Sequence, residues 1–105
     1  MTPSDKAQLT FEDARKAVRA LREPLWNAPG TYMVADYGWE DETSYLVVEG
    51  AREYLEDNND KFVIMDAPAI FVDKATGLVL EADFLMVMDR VHAMTPVPGH
   101  EYPAD

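Results

Sequence analysis

The chain of 105 residues has no cysteine, only two histidines, and nine basic residues against twenty acidic ones. Each shortage removes a class of function. Without cysteine there is no disulfide, no thiolate metal site and no thiol nucleophile. A formal net charge of −11 argues against DNA, RNA or anionic lipid as partners, because phosphate contacts are made by Lys and Arg. Five scattered glycines make no phosphate-cradling loop. Long apolar runs are missing too. The longest uncharged stretch, residues 24–35, has 12 residues with two prolines and a glycine, well short of the ~20 a spanning helix requires. Residues 1–8 (MTPSDKAQ) carry no apolar signal region. The expected compartment is the cytoplasm, with which the lack of cysteine is compatible.

Catalytic and metal chemistry finds few candidates. His92 and His100 are separated by a proline-containing segment, and Asp89 stands three residues before His92. Zinc needs a fuller ligand set than that. Asp57, Asn59 and Lys61 match the first alternate positions of a calcium loop, but the third is a cation and no glycine follows. Ser4 and Ser44 lack a nucleophile-elbow context. Among twenty carboxylates some pairs are neighbours by chance, which deprives acid–base pairing of specificity. Met86, Met88 and Met94 read as core or groove filler. The expectation is a non-enzyme with no catalytic residue, no metal and no cofactor.

What is present is enough apolar matter for a core. Hydrophobic residues make up 48% and aromatics 10%, too much for a disordered acidic tail. Thr10 with Asp13 has capping-box spacing, and Phe11, Ala14, Ala17, Val18, Leu21 and Leu25 recur at helical steps. Arg15, Arg19 and Arg22 fall on an adjacent face, and Glu12 is spaced to pair with Arg15 and Lys16. Pro24 predicts an end near Arg22 or Glu23. A strand is expected over residues 31–37, an acidic turn holding Trp39 over 38–43, and a partner strand over 44–49, ended by Gly50. Residues 51–57 read either as helical turns or as a continued edge strand, and 58–60 as a loop. Short strands are expected over 61–65 and 69–72. The latter is joined through Asp73 and Gly77, at a left-handed position, to a strand over 78–80. Asp83 caps a last helix through Phe84 and Met94, stopped by Pro96, and residues 96–105 offer little to bury. The expected fold is α+β: an N-terminal helix on an antiparallel sheet of four to five strands, with a short C-terminal helix. Residues 9–97 form the domain, between flexible tails at 1–8 and 98–105.

Charge is segregated along the chain. Residues 1–22 hold three acids and five bases, whereas residues 36–66 hold ten acids and two bases. Trp39, Tyr45 and Tyr54 are interleaved with that acidic segment. Rings anchor and charges steer at protein interfaces, so the candidate partner-binding residues are Trp39, Glu40, Asp41, Glu42, Glu53, Tyr54, Glu56, Asp57 and Asp60. The plainer reading makes these acids a solvated face that aids solubility.

Residues 67–79 (APAIFVDKATGLV) resemble the P-x-x-x-V-D-[KR]-x-T-G-x-V hairpin of the immunity-protein-35 (YrhB-like) family. Residues 10–21 (TFEDARKAVRAL) are similar to its opening helix. Residues 44–65 are similar to its strand, acidic bend and strand, and residues 88–97 (MDRVHAMTPV) to its ending. Phe62 stands near the place where many members have a tryptophan. The resemblance implies an antidote of a polymorphic-toxin system, which binds and blocks a cognate protein toxin with a basic surface. It implies no catalytic residue. A small chaperone-like protein using the Met-rich residues 84–94 is the alternative. A monomer is expected, and a dimer through an open strand edge is a third reading.

Overall fold

The structure, a computed structural model, describes residues 8–64 and 67–103. Helix α1, Phe11–Arg22, starts as its sequence dictates. The Thr10 hydroxyl accepts from the Asp13 N–H at 3.1 Å, and the Asp13 carboxylate accepts from the Thr10 N–H at 3.1 Å. These bonds satisfy donors that a helix start leaves open. A 3-10 turn at Glu23–Leu25, with Pro24 inside it, ends the helix.

Five antiparallel strands follow: β1 (Tyr32–Glu40), β2 (Ser44–Ala51), β3 (Ala69–Asp73), β4 (Val79–Ala82) and β5 (Thr95–Pro96). Their order is β4-β3-β2-β1-β5. Between them lie α2 (Arg52–Leu55) and α3 (Phe84–Ala93), the latter capped by the Asp83 carboxylate on the Leu85 N–H at 2.9 Å. The fold is therefore α+β, with α1 packed on a five-stranded sheet and a short helix near the C-terminus.

Alternation along the strands gives the sheet two apolar faces. On one, Phe11, Ala14 and Val18 of α1 meet Tyr32, Val34, Tyr45, Val47, Ile70 and Val72. On the other, Leu46, Ala69 and Phe71 meet Met94, with Val87 and Val91 of α3 against them. Arg22 ties the first face to the sheet by pairing with Glu49 at 2.8 Å and with Glu81. Leu21 and Leu25, expected in the helix stripe, are exposed. In the last turn the sheet-facing place, four residues after Val18, is held by Arg22, which reaches Glu49 of β2 and Glu81 of β4.

Several other expectations are corrected. Gly38, Trp39 and Glu40 belong to β1, pairing with Val47, Leu46 and Tyr45, so the turn is confined to residues 41–43. Gly50 stays in β2 opposite Met33, and Leu55 folds back over it. The 51–57 ambiguity resolves into the single turn of α2. Residues 61–64 form no strand. Asn59 accepts from the Lys61 N–H at 3.1 Å and starts a 3-10 turn, Asp60–Phe62. Met65 lies outside the described residues. The C-terminal stretch, expected to bury little, buries Val97 and pairs through Pro96 and Thr95 with Trp39 and Glu40.

The turn at residues 73–77 matches its expectation. Asp73 accepts from the N–H groups of Ala75 and Thr76 at 2.8 and 2.9 Å, and Gly77 has φ 79°. Gly38 answers to space instead. A Cβ there would lie 2.5 Å from the Phe11 ring and 2.6 Å from the Leu46 carbonyl oxygen. Gly38→Ala is expected to cost about 1–3 kcal/mol in urea unfolding, as overpacking does. A midpoint equal to that of the natural chain would contradict this packing.

Candidate functional site

The candidate residues separate by position. Glu40, Asp41 and Glu42 sit at the hairpin end of β1 and β2. Glu53, Tyr54, Glu56, Asp57 and Asp60 lie beyond Ala51, at the strands' opposite end, roughly 25 Å away along the strand axis.

At the hairpin end two carboxylates are used internally. Glu40 pairs with Lys74 at 2.8 Å, and the Lys74 ammonium lies 4.9 Å from the Tyr45 ring centre. Asp41 pairs with Arg90 at 2.8 Å and accepts from the N–H groups of Thr43 and Ser44. The Arg90 guanidinium covers the Phe71 ring at 4.3 Å. Burial pushes the Asp41 carboxyl up, but its bonds to Arg90, Thr43 and Ser44 outweigh burial and hold it at about 2. At the other end, Glu53 accepts from the Thr31 N–H at 2.9 Å and hydroxyl at 3.0 Å, bonds that hold it below its usual range. Glu56 pairs with Arg52 at 2.9 Å. Glu40, Asp41, Glu53 and Glu56 therefore serve the fold. Glu42, Asp57 and Asp60 are exposed and make no ion pair among the described residues. Asp36 and Asp89 stand alike.

The two aromatic candidates converge. Trp39 and Tyr54 line an open groove of about 280 Å³ together with Tyr37, Val48, Leu55, Asn58 and Tyr102. The groove occupies the part of the second sheet face that α3 leaves bare. A bulge builds it. Val34 pairs with Glu49 and Gly38 with Val47, so three residues of β1 oppose Val48 alone. The carbonyls freed there are taken by Arg15, whose guanidinium donates to Ala35 at 2.8 Å and Val34 at 3.0 Å. Tyr37 and Trp39, two apart, then face the same way. Gly38 holds the C-terminal segment: its carbonyl accepts from the Val97 N–H and its N–H donates to the His100 carbonyl, both at 3.0 Å. That segment delivers Tyr102.

Tyr37 stands between two perpendicular rings, Trp39 at 6.1 Å and 83°, and Tyr102 at 4.8 Å and 86°. Burial raises the Tyr37 hydroxyl above its ordinary range, and Tyr102, Asp36 and Tyr54 add to the shift. Asp36 is not among the residues that line the groove. Sequence reading missed Tyr37, Tyr102 and Asp36. The Tyr37-x-Trp39 spacing carried the signal for the first. His92 meets Phe84 edge-on at 6.4 Å, and among the described residues no three His, Asp or Glu side chains gather as a metal site would require. No described helix is long and apolar enough to cross a membrane.

The depressed Asp41 carboxyl sets a pH dependence. A carboxylate whose folded value lies below its unfolded one stabilises above the unfolded value and loses that contribution as pH falls through the folded one. Asp41→Asn is expected to lose ~1–2 kcal/mol at neutral pH, a loss that fades between pH about 4 and about 2. Glu42→Gln, which breaks no bond, is expected within about 0.5 kcal/mol of the natural chain. Urea unfolding across that pH range checks both, and a pH-independent deficit at Asp41 would contradict the ion-pair assignment. Beyond its own geometry the chain stands alone, for no protein-family model, curated protein or solved structure matches it.

Proposed function

We propose that the chain is a non-enzymatic binding protein of the immunity type, which blocks a cognate protein toxin by covering a basic surface on it. The observation that carries this reading is the open aromatic groove of Tyr37, Trp39, Tyr54 and Tyr102, on a chain whose twenty acids outnumber its nine bases. All five arginines are engaged in ion pairs within the chain. The carboxylates left over at Asp36, Glu42, Asp57 and Asp60 create the field that a basic partner meets. Complementary charge of this kind raises association rates and disfavours wrong partners, and exposed rings supply the contact area once partners meet. The likeness of residues 67–79 to the immunity-protein-35 hairpin supports the antidote role.

The site differs in composition from the nine residues read off the sequence. Trp39, Tyr54, Asp57, Asp60 and Glu42 remain partner-facing, joined by Asp36, Tyr37 and Tyr102. Glu40, Asp41, Glu53 and Glu56 support them from within the fold.

A second reading has its own observation. Leu85 and Met86 on α3 are 75% and 82% exposed, next to exposed Phe84 and, on the edge strand β4, Leu80. A chaperone-like role would hold apolar client segments there, with little dependence on salt.

Co-expression with the product of the adjacent reading frame separates the two. The immunity reading expects growth rescue and a 1:1 complex. Changing Asp36, Asp57 and Asp60 to Lys is expected to slow association about tenfold or more at low salt, with the circular-dichroism spectrum preserved. Absence of rescue and complex, or undiminished association by the triple variant, would overturn the reading. Salt-insensitive suppression of client aggregation, abolished by Met86→Asp, would favour the alternative.

A further inference from the structure

The sheet ends differently on its two sides. Beyond β1 the outer strand is β5, two residues long, and one of them is Pro96, which has no N–H to offer. On the other side the outer strand is β4, which has no proline or lysine to blunt its edge. Among the described residues no strand lies beyond it. The phase of its hydrogen bonds follows from one contact. The Asp73 N–H donates to the Leu78 carbonyl at 2.9 Å, which makes that facing pair a hydrogen-bonded one. Bonded and non-bonded pairs alternate along an antiparallel ladder. Leu80 and Ala82, opposite Phe71 and Ala69, therefore also spend their backbone groups on β3. The N–H and C=O groups of Val79 and Glu81 point outward. The side chains of Val79 and Glu81 face α1, where Arg22 claims Glu81. Ala82 packs on the opposite face with Phe71, and Leu78 and Leu80 share that face by alternation. Leu78 and Leu80 are 57% and 54% exposed.

We propose that this edge pairs with the same edge of a second copy of the chain, antiparallel about a two-fold axis at Leu80, so that two five-stranded sheets become one. Symmetry and hydrogen-bond phase fix the register. In a two-fold contact the same surface serves both copies, and bonds form only where outward residues oppose outward residues. An axis at Glu81 would set two carboxylates face to face. An axis at Val79 would set Glu81 opposite Gly77, which lies in the turn at φ 79°. Axes further out run off the strand. An axis at Leu80 sets Val79 opposite Glu81 in both halves, and each of these outward N–H groups meets a carbonyl. It also sets Leu80 against its own counterpart and Leu78 against Ala82, an apolar row along one face. The single acid of the strand is already paired with Arg22, so the strand brings no unpaired charge to the contact, on a chain of net charge −11. The aromatic groove is built from β1, β2, α2 and the C-terminal segment, at the other end of the strand order, and stays open in the pair. The proposal is therefore independent of the toxin-binding reading.

The natural chain lacks cysteine, so one introduced thiol reports the register. Leu80→Cys places two thiols on the axis in a non-hydrogen-bonded pair, with Cα atoms about 4.5 Å apart, a separation that a disulfide spans. Leu78→Cys, equally exposed, places them roughly 14 Å apart, an offset of four residues. In a glutathione redox buffer, Leu80→Cys is expected to form the disulfide-linked dimer about tenfold faster than Leu78→Cys or more. Sedimentation equilibrium of the natural chain is expected to show a mass rising from one chain toward two near about 1 mM, since so small an interface is transient. Added salt is expected to raise it further by screening the repulsion between acidic chains. Leu80→Lys is expected to hold the mass at one chain with the circular-dichroism spectrum preserved. Equal crosslinking of the two thiol variants, a natural chain that stays monomeric at high salt, or a dimer that persists in Leu80→Lys would each overturn the proposal.

Discussion

The bulge in β1 is the constraint on which the arrangement depends. Three residues, Ala35 to Tyr37, are inserted opposite Val48, and the ladder cannot satisfy their carbonyls. Arg15 of the first helix takes the Val34 and Ala35 carbonyls, the His100 ring nitrogen lies 2.9 Å from the Asp36 carbonyl, and Gly38 lets the Phe11 ring approach the strand. A buried carbonyl without a donor costs about 1–3 kcal/mol, so the Arg15 bridge is a condition of the bulge. The bulge in turn decides where the rings go. Tyr37 and Trp39 turn onto the face α3 does not cover, and the C-terminal segment docks through Gly38 to supply Tyr102.

A single sequence discloses local chemistry better than such insertions. The capping box at Thr10 and Asp13, the Asp73–Gly77 turn and the Asp83 cap are each written in a few adjacent residues, and each stands in the structure as read; the β1–β2 hairpin stands too, with longer strands and a shorter turn than read. The bulge is a relation between Arg15 and two carbonyls some twenty residues away, and nothing adjacent to residues 34–38 announces it. Phe62 to Ile64 look like part of a strand because they are apolar, but the Asn59 side chain starts a 3-10 turn at Asp60–Phe62 instead. Leu21 and Leu25 continue a helical stripe, but in the last turn it is Arg22 that faces β2 and β4.

The site was legible in the same uneven way. Trp39 and Tyr54 stand out as rings among acids, and they do meet in one groove. Acidity alone could not sort the carboxylates. Glu40, Asp41, Glu53 and Glu56 lie in the same acidic segment as Asp57 and Asp60, yet Lys74, Arg90, Thr31 and Arg52 claim them. Of those four, only Arg52 is within the segment itself. Net charge therefore measures a surplus, and the fold decides which residues carry it to the surface.

The physical content of the account is a division of labour among charges: every arginine is satisfied at home, and the surface keeps a surplus of acids together with an open set of rings. Hydroxyl-radical footprinting of the chain, free and mixed with the product of the adjacent reading frame, the toxin partner proposed for it, measures this most directly, because aromatic and sulfur side chains are its best reporters. The account predicts that Tyr37, Trp39, Tyr54 and Tyr102 become protected in the complex while Met86 and Met88 oxidise as readily as before. Protection of Met86 and Met88 with the four rings still reactive would contradict it.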